Sequence, residues 1–172
     1  MSVVLLPPTI TPVDGALVFL AGPIQGAPDW QAEAIQWFTE HTPTLAVASP
    51  RRPDRSREFD YAAQVDWETH YLRRAAAWGV ILFWLAREAE HISGRAYAQT
   101  SRFELAEWKV RHERDGVRLV VGIEDGFSGA RYIRHRLARD CPQVPLLSSL
   151  PAVCAAAAEA VTLNPTGLRP GS

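Results

Sequence analysis

Val80-Ile81-Leu82-Phe83-Trp84-Leu85 is an unbroken run of apolar residues near the middle of the chain. A strand that is apolar at every position, rather than at alternate positions, is typical of a parallel sheet covered on both faces. The run therefore predicts a central strand. A helical pattern precedes it, from about Tyr61 to Ala76, and another follows the loop Ala86 to Gln99, from about Ser101 to Arg114.

Strands and helices alternate outward from this run in both directions. The alternation predicts a doubly wound α/β fold, Rossmann-like or flavodoxin-like, with a parallel sheet of about five strands. Ligands of such sheets collect at the carboxyl ends of the strands. The other strands are predicted at Ala16 to Leu20, Thr44 to Ala48, Arg118 to Gly122 and Val144 to Leu147, and the other helices from about Pro28, near Gly129 to Arg139, and at Ala152 to Val161.

The length of 172 residues, with 47% apolar residues, suits one ordinary domain. No internal repeat or linker divides it, so residues 1–172 are expected to form a single domain. Two segments look peripheral to it, Met1 to Gly15 with its proline turns and Asn164 to Ser172.

The formal net charge is −1, with acidic and basic residues interspersed. This offers no positive surface for nucleic acid or an anionic membrane, and no apolar run approaches the roughly 20 residues of a membrane span. A small-molecule ligand is the simpler expectation. Cys141 and Cys154 are expected to be reduced thiols of a cytoplasmic protein, and no histidine or cysteine spacing indicates a metal or another cofactor.

The second helix carries a carboxylate on the side predicted to be apolar. Because a buried carboxylate is costly unless it is paired, Glu68 stands out there. Either it pairs with an arginine such as Arg51 or Arg52, or it faces a substrate. The predicted stripe consists of Tyr61, Val65, Glu68, Leu72 and Ala75.

Glu104 is the second carboxylate of interest, near the start of the third helix. Ser101 with Glu104 three residues later fits a capping box, in which the glutamate serves only the helix end. The alternative is chemical: a carboxylate in the first helical turn is kept ionised by the helix dipole, which suits a nucleophile. Both interpretations are open from the residues alone.

The loop Gly22-Pro23-Ile24-Gln25-Gly26 follows the first predicted strand and lets a ligand approach the backbone closely. It lacks the GxGxxG pattern of dinucleotide-binding folds, so an ordinary turn is the other interpretation. Trp67, next to Glu68, is the best candidate among the tryptophans for stacking on a ligand, although most such aromatics belong to the core.

Three blocks of residues resemble the nucleoside 2-deoxyribosyltransferase-like family. Their order and spacing carry the resemblance, which spans roughly Ala16 to Trp108. The blocks are Val18-Phe19-Leu20-Ala21-Gly22-Pro23-Ile24, then Trp67-Glu68 with Leu72-Arg73-Arg74-Ala75 and Val80-Ile81-Leu82-Phe83-Trp84, and finally Thr100-Ser101-Arg102-Phe103-Glu104-Leu105.

The resemblance implies that Glu104 attacks the anomeric carbon of the sugar and that Glu68 contacts the sugar or assists proton transfer. It also implies a small-molecule nucleoside or nucleotide substrate and a homo-oligomer, a dimer or larger, in which a neighbouring chain completes the site. Relatives often have Tyr in place of Phe19, and Arg in place of Gln25 where they hydrolyse nucleoside monophosphates. The resemblance maps the sugar or phosphate pocket to Gly22, Pro23, Ile24 and Gln25. Phe19, Trp67, Ser101 and Arg102 are further candidates for binding the substrate.

The function expected from these residues is cleavage or transfer of the N-glycosidic bond of a nucleoside or nucleotide through a glutamyl glycosyl-enzyme intermediate. Two alternatives stay open: hydrolysis of nucleoside monophosphates or of another ribosyl cofactor, and a nucleotide-binding module without catalysis.

Overall fold

The computed structural model describes residues 3–53 and 60–162, which form a six-stranded parallel sheet with helices on both faces. The predicted doubly wound α/β class is confirmed. The strands are β1 (Val4–Leu5), β2 (Leu17–Ala21), β3 (Ala46–Ala48), β4 (Gly79–Leu85), β5 (Leu119–Ile123) and β6 (Leu146–Leu147). The helices are α1 (Trp30–His41), α2 (Tyr61–Trp78), α3 (Gln99–Asp115), α4 (Ala130–Asp140) and α5 (Leu150–Thr162).

The strand order is β1-β3-β2-β4-β5-β6, which places β2 and β4 at the centre. All residues of both strands are buried, as the continuous apolar pattern predicted. One apolar cluster packs the sheet against α2, α3 and α4, and a second packs its other face against α1 and α5. We call these the α2–α3 face and the α1–α5 face.

The sequence predicted about five strands, and the structure has six. The additional strand is β1, which lies within the segment that was expected to be peripheral. Val4 and Leu5 pair with Val47 and Ala48 of β3, and Leu5 is buried. A strand of two residues is too short to show a period in sequence. The segment before residue 15 is therefore partly built into the sheet, whereas the predicted tail 164–172 lies outside the described residues.

The connections reverse direction between β2 and β4. The chain leaves β2 to form α1 on one face, and leaves β4 toward α3 on the other. A crevice opens at the carboxyl ends of two strands where such a reversal occurs, and it is the usual ligand site of open α/β sheets. Here it lies beyond Ala21 and Leu85. Within the described part of the chain, every helix is too short or too polar to cross a membrane.

Candidate active site

The loop after β2 is held close to the end of β4. A Cβ atom on Gly22 would lie 2.2 Å from the backbone oxygen of Trp84, so only glycine permits this approach. The carbonyl of Pro23 accepts a hydrogen bond from the Trp30 indole Nε1 at 2.8 Å. One wall of the crevice is thus a fixed stretch of backbone.

Arg51, just after β3, stabilises the loop that follows β2. Its guanidinium donates to the carbonyls of Ile24 and Pro28 and to Oε1 of Gln31, and it forms a 3.0 Å ion pair with Asp29. The sequence-based interpretation that paired Arg51 with Glu68 is therefore wrong. Arg51 stabilises the loop that contains the predicted ligand-binding residues.

The buried face of α2 differs from the predicted stripe. Tyr61 is 72% exposed and Val65 is 39% exposed, while Trp67 and Tyr71 are completely buried. The helix is rotated so that Glu68 lies at the edge of the buried face, partly accessible, rather than at its centre. This position suits a carboxyl that serves a cleft.

Glu68 is held by Gln64, one helical turn earlier. The Gln64 amide Nε2 donates to Glu68 Oε1 at 2.8 Å and to the Pro50 carbonyl at 2.9 Å. Burial raises the pKa of Glu68, and the Gln64 hydrogen bond partly opposes that rise. The bridge to Pro50 places this carboxyl at the carboxyl end of β3, beside the crevice.

The predicted capping box at Ser101 is wrong. Helix α3 begins earlier, at Gln99, and its N-cap is Ala98, which has a left-handed backbone (φ 55°) and makes no side-chain capping bond. Ser101 lies inside the first turn and is buried, and the first turn contains no acidic residue. Glu104 falls in the second turn, so its side chain is not used by the helix end.

The pKa of Glu104 is raised to about 8 by burial, by the negative charge of Glu68 and by that of Glu107. The expectation that the helix dipole keeps Glu104 ionised is therefore wrong. Because the charge of Glu68 acts on Glu104, the two carboxyls lie within electrostatic range on the α2–α3 face. Two carboxyls that interact in this way titrate as a pair.

Two of the implied binding residues belong to the core behind the cleft. Phe19 is 1% exposed and its ring centroid lies 6.1 Å from that of Trp67. Trp67 is completely buried, and its Nε1 donates to the Thr9 carbonyl at 3.1 Å. The Trp67 indole thus packs on the buried side of α2, against the core, and offers no open surface on which a ligand could stack.

The other implied residues occupy different surroundings. Gln25 is exposed in the loop after β2, and Ile24 is partly buried. The Arg102 guanidinium donates to the Ser128 carbonyl and lies 4.5 Å from the ring centroid of Phe127, so it is directed toward the loop after β5. The structure therefore brings Glu68 and Glu104 within electrostatic range of each other, and directs Arg102 toward the loop after β5.

The loop from 86 to 98 joins the β2 loop over the end of the sheet. The carbonyl of Gly26 accepts hydrogen bonds from the amides of Ala89 and Glu90. The Tyr97 hydroxyl donates to the Ala86 carbonyl at 2.7 Å. These bonds connect the segment that leads into α3 with the backbone wall at Gly22.

A cavity of about 260 Å³ lies on the other side of the sheet, next to Trp30, Trp84 and the start of α5. Glu33 and Glu124 line this cavity, whereas Glu68 and Glu104 do not. We assign the chemistry to the α2–α3 face because the two carboxyls with raised pKa values lie there. Among the described residues, no three His, Cys, Asp or Glu side chains are grouped as a metal site would require.

Three contributors to the site were missed from the sequence: Gln64, Glu107 and Tyr97. Gln64 could have been found, because Gln and Glu four residues apart on a helix form a hydrogen-bonded pair. Glu107, three residues after Glu104, could have been found by the same helical spacing. The role of Tyr97 depends on the path of a long loop, which carries no periodic signal.

Comparison with known families identifies the family of the chain. The family model described as nucleoside 2-deoxyribosyltransferase like matches residues 15–127, a range that includes the β2 loop, Glu68 and Glu104. No curated protein matches the chain at a significant level. On the extent of the family match, the chain belongs to the nucleoside 2-deoxyribosyltransferase-like family.

Proposed function

We propose that the protein cleaves or transfers the N-glycosidic bond of a (deoxy)nucleoside or nucleotide, with Glu104 as nucleophile and Glu68 as the acid and base. The family match points to an enzyme acting on such small molecules. The observation that carries the proposal is the coupled pair of glutamates on α2 and α3, beside the crevice of a doubly wound sheet.

The reaction needs one ionised and one protonated carboxyl, and two carboxyls that titrate as a pair supply this combination between their two titration steps. The Glu104 carboxylate attacks the anomeric carbon and forms an ester. The bond from that carbon to the base breaks, and the departing nitrogen keeps the electron pair and takes the proton of Glu68. In the second step, water or another base attacks the same carbon, returns its proton to Glu68 and releases Glu104.

The pKa of about 8 makes the reaction dependent on pH. The reactive form of the pair carries one proton, so kcat/KM should rise as the doubly protonated pair loses its first proton and fall above about pH 8, where the last proton is lost. The proton must move from Glu104 to Glu68 before attack, and a sugar bound between the two carboxyls would favour this because it separates their charges.

The β2 loop supplies the proposed sugar-binding wall through Gly22, Pro23, Ile24 and Gln25. Arg51 and Trp30 already fix this backbone, so little ordering is needed when a ligand binds. We propose that Phe19 and Trp67 support this wall from behind, and that Ser101 orients the second turn of α3. Arg102 contacts ligand only if it leaves Phe127.

The test is incubation with a deoxynucleoside, with and without a free acceptor base. We expect exchanged nucleoside in the first case and free base in the second. Glu104→Gln should reduce either product by about a thousandfold or more, since it removes the nucleophile but not the shape. Glu113→Gln, an exposed position on the same helix, is the control and should remain active.

Full activity in Glu104→Gln would refute the assignment of the nucleophile. Tight binding of a nucleoside without any product from the unaltered protein would favour the non-catalytic binding module instead.

We also propose that the protein is a cytoplasmic homo-oligomer. Phe103 and Tyr61 are 73% and 72% exposed on α3 and α2, near the two glutamates in sequence, and large exposed apolar side chains of this kind favour an interface. Both cysteines are free, which is consistent with a reducing compartment. Sedimentation measurements would test the assembly.

A further inference from the structure

Gln64 stands between the backbone and the carboxyl of the proposed acid. Its amide nitrogen has two hydrogens, and the structure uses one for Glu68 Oε1 at 2.8 Å and the other for the Pro50 carbonyl at 2.9 Å. The Pro50 carbonyl belongs to the segment just after β3 and is independent of α2. The amide orientation is therefore determined from outside the helix, because a carbonyl accepts only from the nitrogen.

A donor held in this way favours the ionised form of the carboxyl that it faces. If Glu68 were protonated at Oε1, its carboxyl hydrogen would point at the amide hydrogen of Gln64. Gln64 cannot respond by flipping its amide, since that would direct its oxygen at the Pro50 carbonyl. The arrangement therefore discriminates between the two protonation states of Glu68.

We infer that Gln64 is a positioning residue that places the shared proton of the pair on Glu104 while the site is empty. The charged groups that act on the pair are Glu68 on α2 and Glu104 and Glu107 on α3. Burial raises the pKa of Glu68 and the Gln64 hydrogen bond opposes that rise, so Gln64 shifts the shared proton away from Glu68 and toward Glu104. The nucleophile is then neutral until a ligand displaces or redirects the Glu68 hydrogen bond.

The consequence is a resting site whose nucleophile is masked. Proton transfer from Glu104 to Glu68 becomes favourable when the Gln64 donor is engaged elsewhere, for example by a sugar hydroxyl. This consequence for catalysis rests on the proposed function, whereas the placement of the proton does not.

The direct test is carboxyl ¹³C NMR on protein labelled at the glutamate side chains, with Glu68→Gln and Glu104→Gln used to assign the two signals. In Gln64→Met the titration of Glu68 should move to higher pH and that of Glu104 to lower pH, by roughly one pH unit, the size expected for loss of a hydrogen bond to a charged group. Gln64→Glu keeps the side-chain shape and should raise the Glu68 titration further.

The chain provides a matched control. Gln36 Nε2 donates to Glu40 Oε1 at 2.9 Å with the same four-residue spacing, on the exposed side of α1. Gln36→Met should leave the titrations of Glu68 and Glu104 where they are in the unaltered protein. Circular dichroism identifies any variant that does not fold.

The kinetic test separates positioning from a merely structural role. In Gln64→Met, a larger share of the singly protonated pair should carry its proton on Glu68, so the maximum of kcat/KM should rise and the acid limb of the pH profile should move to higher pH. A structural defect would lower kcat/KM at every pH without moving the acid limb.

Unmoved titrations in both Gln64 variants would overturn the inference even if the protein is an active glycosyl transferase. Shifted titrations in a protein without glycosidic activity would support the proton placement and refute the proposed function.

Discussion

The two faces of the sheet use the same strands for different purposes. On the α1–α5 face, Phe38, Val153 and Ala157 are completely buried among apolar neighbours. On the α2–α3 face, the apolar cluster ends at the crevice in two partly buried carboxyls whose pKa values are raised. The α1–α5 face contributes mainly to stability, whereas the α2–α3 face contains partly buried carboxyls that reduce stability and are available for chemistry.

The same contrast appears within a single type of contact. Gln36 and Glu40 form a solvent-exposed pair on α1, while Gln64 and Glu68 form a pair beside the crevice. Water screens the first pair and leaves it nearly neutral in energy. In the second pair, partial burial strengthens the effect of the hydrogen bond on whether Glu68 is protonated or ionised. The same local motif therefore has a different consequence at each place in the fold.

The largest expected effect comes from the α1–α5 face. Phe38→Ala removes a completely buried ring and should lower the free energy of unfolding by about 3–5 kcal/mol. Because the ring packs in the apolar cluster of the α1–α5 face, the loss should be the same at pH 6 and pH 9 in urea unfolding experiments. A loss that changed with pH would show that the two faces are coupled.

The next largest effect concerns Glu104 on the α2–α3 face. At alkaline pH, replacing Glu104 should raise the free energy of unfolding, whereas Phe38→Ala lowers it. The folded protein holds a proton on Glu104 up to about pH 8, whereas the usual pKa of a glutamate side chain is 4.5. The folded state therefore binds that proton more tightly, and stability present below about pH 4.5 is lost as the pH rises through 8.

Glu104→Gln removes this dependence. At pH 9 it should be more stable than the unaltered protein, by on the order of 3 kcal/mol, with little difference at pH 4. Glu40→Gln on exposed α1 is the control. Equal stability of Glu104→Gln and the unaltered protein at pH 9 would contradict the raised pKa.

The smallest effect tests the loop that leads into α3. Tyr97→Phe keeps the ring against Phe127 but removes the hydrogen bond to the Ala86 carbonyl. We expect a loss of about 1 kcal/mol in unfolding free energy and faster amide exchange in the loop. Unchanged exchange at Ala89 and Glu90 would show that the Gly26 carbonyl alone holds the loop.

Most of the fold could be predicted because its signals are local. The runs that became β2, β4 and β5 are apolar throughout, and the intervening helices have apolar faces. The errors have physical causes. Strand β1 is stabilised by pairing with β3, which is distant in sequence. Helix α3 begins after Ala98, and the left-handed backbone of this N-cap is one that alanine rarely adopts.

The candidate site was predictable by residue type and only partly by position. Glu68 and Glu104 were identified, but the stripe that singled out Glu68 included Tyr61, which is mostly exposed. The bridge through Gln64 joins α2 to the Pro50 carbonyl, which is fourteen positions away in the chain. Such a contact depends on how the helix lies against the sheet.

The sequence by itself determined the alternation of strands and helices, the central position of Val80 to Leu85, and the presence of two carboxylates in helices that flank it. Local hydrophobic periodicity is enough for these features, since burial acts on each segment separately. Tertiary structure alone decided that the two carboxyls repel each other, that Arg51 serves the loop, and that Glu104 keeps its proton to about pH 8. Electrostatic energies depend on distance and desolvation, which exist only once the helices are packed.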